Sequence, residues 1–415
     1  MTATDERQAT DTSELADFRM KVRSFLAEHA PKRAARRDDD AMPVEATVAD
    51  VGTQKKFQAA LADAGLAGLT WPKPWGPGLT PEHQRVFNEE ASVYDLPTTV
   101  YTIGLGMVIP TMIEFGTDEQ RERYVAKALR GEEIWSQLFS EPGAGSDVAS
   151  LQMRAERDGD EWVLNGQKVW TTGAQLSDFG AVIARTNPDQ PKHRGITMFI
   201  IDFTAPGVDI RPLRQMNGGS GFNEVFFTDA RIPDANRIGD VDDGWRCAVA
   251  MLMNERVAIG SGGGGGRGVG VKPLVELARR RGVLDDPVVR QGIADVYIRS
   301  KIMGYIGQRT RAAVKAGKAP GPEGSIAKLA GGLLTRRMSD LAIAIAGAGG
   351  QAWEDKRDSR WALSVLTAPA ARIAGGTDEV QRNIIGERVL GLPKEPQVDR
   401  DIPFKELKVG TQTTS

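Results

Sequence analysis

The sequence predicts an α+β protein in three parts: helices, then a β-barrel or β-sandwich, then helices again. Apolar residues recur at helical spacing up to about residue 135, and short apolar runs separated by turn residues follow to about residue 243. Helical spacing then returns. We therefore expect an N-terminal helical domain at 1–135, a middle β domain at 136–243, a C-terminal helical domain at 244–395 and a tail at 396–415.

The N-terminal part shows its helices through the spacing of apolar residues. Within 14–30 one helical face collects Leu15, Phe18, Val22 and Phe25. Similar patterns predict further helices, at 51–64, 81–94, 101–115 and 118–129.

The middle part reads as short strands. Trp162-Val163-Leu164 followed by Asn165-Gly166 is a hairpin signal, because Asn-Gly suits a tight primed turn. Three apolar runs predict buried strands, at 181–184, 197–201 and 224–227.

The last part contains long helical patterns at 295–316 and 326–346 and a shorter one at 378–390. The Gly-rich run 260–268 reads by itself as a loop or linker, since each Gly costs a helix about 1 kcal/mol relative to Ala.

Composition excludes several classes of function. With 415 residues and a net charge of -2, the chain has no overall field that would favour nucleic acid or a membrane surface. No apolar run reaches the roughly 20 residues of a membrane helix. A single cysteine, Cys247, fits a reducing compartment, so we expect a cytoplasmic protein, and three dispersed histidines argue against a metal site.

Three small-residue motifs carry the chemical signal. Ser140 to Asp147 follows a predicted strand and contains Pro and two Gly, which let backbone approach a ligand closely. Asn165 to Ala174 carries a Trp between a Lys-Val pair and two Thr, and Gly375 to Arg382 is a Gly loop that opens a helix.

In this order and at these separations, the three motifs resemble the acyl-CoA dehydrogenase family of flavoproteins, and the resemblance runs from about residue 18 to residue 393. It implies the family's three-part fold with a C-terminal four-helix bundle, in which a helix passes through the Gly-rich segment 260–268. It also implies bound FAD, an acyl-CoA substrate, an electron-transfer flavoprotein as partner, and a tetramer.

The resemblance also implies a carboxylate base that removes the α-proton of the thioester. Many members carry a Glu just before the Gly-Thr of the last motif, where this chain has Gly375. Other members place the Glu before an Arg on the first helix of the C-terminal domain, which matches Glu255 and Arg256. We therefore expect Glu255 to be the base, Arg256 to help position substrate, and the Gly375 N–H to serve the thioester oxygen.

The remaining site residues follow from the same resemblance. Ser146 would face either the flavin phosphates or the CoA. The Gly residues near the acyl pocket favour a bulky or branched acyl group, or else close packing of backbone on backbone. Expected flavin contacts are Gln137, Phe139, Ser140, Trp170, Thr172, Thr377 and Glu379.

The adenosine end of the cofactor is completed in the family by a neighbouring subunit. Arg280 and the turn starting at Gly347 are the candidates here, although Arg279 or Arg281 would serve after a one-residue shift. Ala344 stands where a Gln is common, so either FAD binds differently or a different chain completes the site. Homo- and hetero-tetramer stay open.

Two other functions compete with the dehydrogenase. An acyl-CoA oxidase would pass electrons to oxygen, but related oxidases usually carry an extra helical domain. The other is a non-catalytic subunit of a hetero-oligomer, with Glu255 as the discriminating residue.

Overall fold

The computed structural model describes residues 11–32, 48–260, 271–316, 321–352, 356–397 and 399–407. Its N-terminal helices are α1 (Ser13–His29), α2 (Val48–Asp63), α3 (Pro81–Ala91), α4 (Ile109–Phe115) and α5 (Asp118–Leu129). A π-helical turn, Gly104–Val108, leads directly into α4.

Local capping explains where two of these helices begin. The Thr12 hydroxyl accepts a hydrogen bond from the Leu15 N–H at the start of α1. Thr117 and Gln120 form a reciprocal capping box at the start of α5, which satisfies two backbone donors. Helix α5 consequently occupies the predicted range 118–129.

The middle part is one mixed eight-stranded sheet. Its strand order is β6-β7-β3-β2-β4-β5-β8, with β1 pairing parallel to β4. The strands are β1 (Trp135–Leu138), β2 (Arg154–Asp158), β3 (Glu161–Thr172), β4 (Phe179–Arg185), β5 (Ile196–Asp202), β6 (Val208–Leu213), β7 (Phe222–Pro233) and β8 (Arg237–Ile238).

The predicted hairpin at Asn165-Gly166 is wrong. Strand β3 continues through both residues, and the register against β7 shifts between Leu164 and Gly166. The turn that joins β2 to β3 lies instead at Gly159, whose φ of 64° suits a tight turn. Asn165 therefore lies opposite a β-bulge in β7, where Thr228 and Asp229 face this one residue, while Gly166 adopts a φ of 147° and the Met153 side chain passes closely.

The sheet separates two apolar cores because neighbouring residues along a strand point to opposite faces. On β4, Ala181 and Ile183 pack with the helices, whereas Val182 and Ala184 pack in the interior of the β domain. The helix-side core also contains Met251 of the first C-terminal helix, so it joins the three parts of the chain.

The C-terminal part is helical. Its helices are α6 (Gly244–Gly260), α7 (Val271–Arg280), α8 (Pro287–Lys315), α9 (Gly324–Ala346), α10 (Ala348–Ala352), α11 (Lys356–Thr367), α12 (Ala370–Ile373) and α13 (Asp378–Ile384). Helix α13 continues as a π-helical turn, Ile385–Val389. Helix α9 is central, and its core with α7, α8 and α11 includes Leu277, Val296, Ala342 and Trp361.

The architecture confirms the predicted α+β class, with helices before and after a β domain. The Gly-rich run lies outside the described residues from 261 onward. Among the residues that are described, no helix has both the length and the apolar character needed to cross a membrane.

Candidate functional site

The loop that follows β1 rests on a buried ion pair. Lys168 of β3 is fully buried, and its Nζ lies 2.8 Å from Glu141 Oε1 and 3.1 Å from the Phe139 carbonyl oxygen. The Glu141 carboxylate also accepts the backbone N–H groups of Gln152 and Met153 at 2.7 and 3.0 Å. Both ends of the loop are thereby fixed to the sheet.

Burial lowers the pKa of Lys168, and the Glu141 carboxylate opposes that shift. A buried charge is tolerated when it is paired and hydrogen-bonded. The ammonium has three donors, and two of them are used in the contacts with Glu141 and Phe139. Lys168 and Glu141 therefore act as one structural unit beneath the loop.

A bulge in β3 turns Trp170 out of the sheet. Lys168 pairs with Val225 and Thr171 with Asn223, so two residues of β3 face one residue of β7. Trp170 takes a φ of 61°, rare for a residue with a side chain, and the residue is 55% exposed. Strained backbone of this kind is concentrated at functional sites.

The bulge is tied to the loop after β1. The Val169 N–H donates to the Ser140 carbonyl oxygen at 2.9 Å. The Ser136 hydroxyl donates to the Thr172 carbonyl oxygen at 2.8 Å. Predicted site residues from two distant motifs, Ser140 and Thr172, are thus brought to one edge of the sheet.

Polar atoms remain unused beside this edge. Among the described residues, Gln137 Nε2 and Thr171 Oγ1 are buried and find no hydrogen-bond partner. Asn223 Nδ2 meanwhile donates to the Thr171 carbonyl oxygen at 3.0 Å and so fixes the backbone behind Trp170. Buried polar groups are normally paired, so unused ones beside an exposed ring indicate a place for a polar ligand.

The predicted Gly loop before α13 has a left-handed backbone conformation that favours glycine. Gly375 and Gly376 have φ values of 67° and 91°, and the Gln381 side chain donates to the Gly375 carbonyl oxygen at 2.9 Å. Lys328 of α9 donates to the Gly376 carbonyl oxygen. The loop is held through its carbonyl oxygens.

Thr377 caps α13, because its hydroxyl accepts a hydrogen bond from the Val380 N–H at 3.3 Å. Glu379 is exposed in the first turn of α13 and pairs with Arg382 at 3.3 Å. Both positions lie at the start of a helix, as the motif predicts.

Positions 255 and 256 lie in the last turns of α6. Position 255 follows buried Met251 by one helical turn and shares its face. The preceding residue, Asn254, lies 3.4 Å from the Thr111 hydroxyl of α4. The side chains of Glu255 and Arg256 are outside the described part of the chain.

The predicted adenosine contacts lie at the other end of the helical part. Arg280 is the last residue of α7, and Gly347 ends α9 with a φ of 63°. The guanidinium beside this turn belongs to Arg281, because a Cβ built on Gly349 would lie 3.0 Å from Arg281 Nη2. Of the three candidate arginines, Arg281 is therefore the one that the structure shows next to this turn of the same chain.

The structure brings one set of predicted residues together at the sheet edge, namely Gln137, Phe139, Ser140, Trp170 and Thr172. Ser146 is exposed farther along the loop. Sequence reasoning missed Lys168 and Glu141. The available signal was a Lys at an inward position of β3, in step with Trp162 and Leu164, which requires a buried anionic partner.

Comparison with known proteins agrees with this geometry. The N-terminal, middle and C-terminal domain models of acyl-CoA dehydrogenase match residues 12–132, 136–230 and 242–390. The chain is 38% identical over 383 residues to acyl-CoA dehydrogenase IpdE1 of Mycobacterium tuberculosis, covering 92% of this chain and 99% of the relative.

A second relative from the same organism is acyl-CoA dehydrogenase FadE34, 38% identical over 354 residues. The match covers 85% of this chain but 48% of FadE34, so the chain spans about half the length of that relative.

Two solved structures are similar throughout. The ChsE4-ChsE5 complex from Mycobacterium tuberculosis has a TM-score of 0.71 and 29% identity, covering 93% of this chain and 99% of the matched chain. The Tcur3481-Tcur3483 steroid ACAD has a TM-score of 0.74 and 26% identity, again covering 93% and 99%. Matches to all three domain models and to relatives of nearly equal length show that this chain belongs to the acyl-CoA dehydrogenase family of flavoprotein oxidoreductases.

Proposed function

We propose that this protein is an FAD-dependent dehydrogenase that converts an acyl-CoA thioester to the trans-2-enoyl-CoA, with Glu255 as the base. The observation that carries the proposal is that the backbone N–H and the carboxylate, which many family members carry together just before the Gly-Thr of the last motif, stand at two separate positions in this chain. Gly375 keeps a backbone N–H but has no carboxylate, whereas Glu255 stands on the same face of α6 as core residue Met251.

The sheet edge fits a flavin. The exposed aromatic ring of Trp170 offers an apolar face. The Gln137 amide nitrogen and the Thr171 hydroxyl, which have no hydrogen-bond partner among the described residues, offer polar contacts. Gln137, Phe139, Ser140, Trp170 and Thr172 would hold the ring system. Thr377, Glu379, Gly347 and Arg280 or Arg281 would hold the remainder of FAD. When bound, FAD supplies the hydride acceptor for the reaction.

The chain's own residues supply the proton chemistry. The Glu255 carboxylate would take the α-proton, and the Gly375 N–H would donate to the thioester oxygen as negative charge develops there. The Gly375 carbonyl is already engaged by Gln381, which orients the peptide planes of this turn. Arg256 and Ser146 would position the thioester.

The acyl group is proposed to be bulky, such as a branched chain or a steroid side chain. Ala374, Gly375 and Gly376 place little side-chain volume before α13. One similar structure is named a steroid ACAD, which supports the same class of substrate for this chain. An electron-transfer flavoprotein is the proposed electron acceptor.

A subunit interface is proposed along α8. Tyr297, Ile298, Ile302 and Tyr305 lie at i, i+1, i+5 and i+8 and are each at least half exposed. Such a patch fits association with another acyl-CoA dehydrogenase chain, as a homo- or hetero-tetramer. The similar ChsE4-ChsE5 structure is a complex of two chains, which supports the hetero-oligomer as one of these two forms.

The test is anaerobic mixing of the purified protein with a panel of acyl-CoA thioesters, followed by visible absorbance of the flavin. We expect bleaching with bulky acyl groups, and a rate about 10²–10⁴-fold lower for Glu255→Gln, which is the usual contribution of a general base. Glu276→Gln on α7 is the matched control and is expected to react at the wild-type rate.

A second candidate is the non-catalytic subunit of a hetero-oligomer, favoured by the missing carboxylate at Gly375 and by Ala344. A colourless protein that gains flavin and activity only with a partner chain, with unchanged activity for Glu255→Gln, would support it. Peroxide formation in air would instead indicate an acyl-CoA oxidase.

A further inference from the structure

The segment at residues 399–407, called the C-terminal strap below, returns to the β domain after the helical part. The Phe404 N–H donates to the Gln190 carbonyl oxygen at 2.8 Å, and the Lys405 N–H donates to the Pro188 carbonyl oxygen at 3.0 Å. The Lys405 ammonium pairs with Asp189 at 2.6 Å. The strap therefore lies along the loop between β4 and β5.

The strap lies beyond the part of the chain that matches the C-terminal domain model, which ends at residue 390.

Phe404 covers a buried cation. Its ring lies 3.8 Å from the centre of the Arg185 guanidinium, and Arg185 is only 4% exposed. Within the described residues no carboxylate lies at ion-pair distance from Arg185. Burial lowers the pKa of Arg185 to about 10. The Glu141 and Asp242 carboxylates oppose this shift from a distance, and the aromatic face of Phe404 stabilises the desolvated guanidinium directly, so the ring substitutes in part for water.

Arg185 connects two segments through their backbones. Its Nη1 donates to the carbonyl oxygens of Lys192 and Arg194 at 3.0 and 2.9 Å. Its Nη2 donates to the Ala149 carbonyl oxygen at 2.6 Å. One buried side chain thus sets the separation between the turn after Ser146 and the loop 188–194.

A second link runs parallel to the first. The Lys192 ammonium lies 2.8 Å from Asp399 of the strap and 3.0 Å from Asp147, the residue after Ser146. The Lys192 side chain is 14% exposed. The strap therefore reaches the Ser146 turn through Lys192 as well as through Arg185.

The two segments joined in this way carry groups that suit phosphate. Arg194 is an exposed cation of the loop, two residues after Lys192, whose charge is already shared with Asp147 and Asp399, and the exposed Ser146 offers a hydroxyl donor. An acyl-CoA thioester carries its phosphates on the nucleotide end, far from the acyl group, and cationic side chains with hydroxyl donors are the usual phosphate contacts.

We propose that the C-terminal strap positions the Ser146 turn and the loop 188–194 to bind the nucleotide end of an acyl-CoA thioester, with Phe404 and Asp399 as positioning residues. The inference rests on the proposed function for the identity of the substrate. The proposal does not involve the residues proposed to contact the acyl group or the flavin ring, so binding of the nucleotide and binding of FAD can be measured separately.

The test compares Phe404→Ala with the wild-type full chain on two substrates, an acyl-CoA thioester and the acyl-pantetheine thioester that lacks the nucleotide. We expect KM for the CoA thioester to rise about tenfold, equivalent to about 1.4 kcal/mol, with kcat unchanged. KM for the pantetheine thioester and the flavin content should not change. Ile402→Ala, on the same strap, is the matched control and should behave as wild type.

An equal rise of KM for both thioesters, or no change for either, would overturn the inference. Where Phe404→Ala does not fold, Asp399→Asn replaces it, with an expected rise of about threefold for the CoA thioester only, as for a partly exposed ion pair.

A calorimetric titration with free CoA separates this inference from the proposed function. A wild-type protein that binds CoA, with about tenfold weaker binding in Phe404→Ala, supports the strap even if no thioester reduces the flavin. A wild-type protein that binds no CoA contradicts the strap. Failure of thioesters to bleach the flavin contradicts only the dehydrogenase.

Discussion

The two sides of the proposed site are built in different ways. On the sheet side, Lys168 is fully buried and donates hydrogen bonds to Glu141 and to the Phe139 carbonyl oxygen, so the buried ion pair also holds the backbone of the loop. On the helix side, Lys328 is only partly buried and holds the turn before α13 through the Gly376 carbonyl oxygen. Nearby Ile373 is 62% exposed.

This difference indicates that the sheet side is fixed by buried contacts within the chain, while the turn before α13 is held near solvent; each side leaves a large apolar residue exposed, Trp170 and Ile373. Preorganised groups cost little to order when a ligand binds, whereas an exposed apolar surface gains stability when it is covered. A substrate or a second subunit would supply that cover.

The largest expected difference comes from removing the sheet-side cation. Lys168→Met leaves Glu141 buried without its partner, so we expect the free energy of unfolding to fall by about 3–5 kcal/mol. Urea unfolding measures this. The double variant Lys168→Met/Glu141→Gln should recover part of the loss, because no charge is then stranded and the Gln side-chain oxygen can still accept from the backbone N–H groups of Gln152 and Met153. A single variant as stable as wild type would remove the basis of the comparison.

The matched change on the helix side should matter less. Lys328→Met removes a donor to the Gly376 carbonyl oxygen near solvent, and we expect a loss of about 1 kcal/mol. The same urea titration gives the value. An equal loss in the free energy of unfolding for Lys328→Met and Lys168→Met would contradict the difference between the two sides.

Trp170 tests whether the strain of the bulge serves a ligand. We expect Trp170→Gly to be about 1 kcal/mol more stable than Trp170→Ala, because only Gly adopts a positive φ without cost. Both variants should bind FAD about tenfold more weakly, since each lacks the ring. Thermal unfolding and equilibrium dialysis of flavin check the two parts. Unchanged FAD affinity in both would argue that Trp170 is a surface residue without a role.

The smallest effect concerns pH. Burial and nearby Lys192 lower the pKa of His193 from 6.5. Between 6.5 and the lowered native pKa, the unfolded chain binds more protons than the native one, so stability falls as pH falls. His193→Gln should flatten this slope slightly relative to wild type, as measured by urea unfolding at several pH values. An identical slope would show that His193 does not contribute.

Helical spacing predicted the helices of the N-terminal part, but it missed α7 and α11, and α8 begins at Pro287 rather than at residue 295. Asp118–Leu129 was predictable because Thr117 and Gln120 form a local capping box. The prediction of a turn at Asn165-Gly166 was wrong because the same dipeptide can also continue a strand opposite a bulge, and pairing with β7 decides which. Local sequence carries no information about that partner strand.

The residues proposed for the site could be recognised from the sequence where they share one motif, as in Ser140 to Asp147. The Lys168–Glu141 pair could have been suspected from a Lys at an inward strand position, but its partner lies 27 positions away. The stacking of Phe404 on Arg185 was beyond sequence reasoning, since a residue in a predicted tail returns to the sheet.

The central claim is that the base has moved to α6, and one measurement addresses it directly. Anaerobic reduction of the flavin by an acyl-CoA thioester should be slowed about 10²–10⁴-fold in Glu255→Gln, and partly restored in Glu255→Gln/Gly375→Glu, which places a carboxylate before the Gly-Thr of the last motif. Reduction of Glu255→Gln at the wild-type rate would contradict the account.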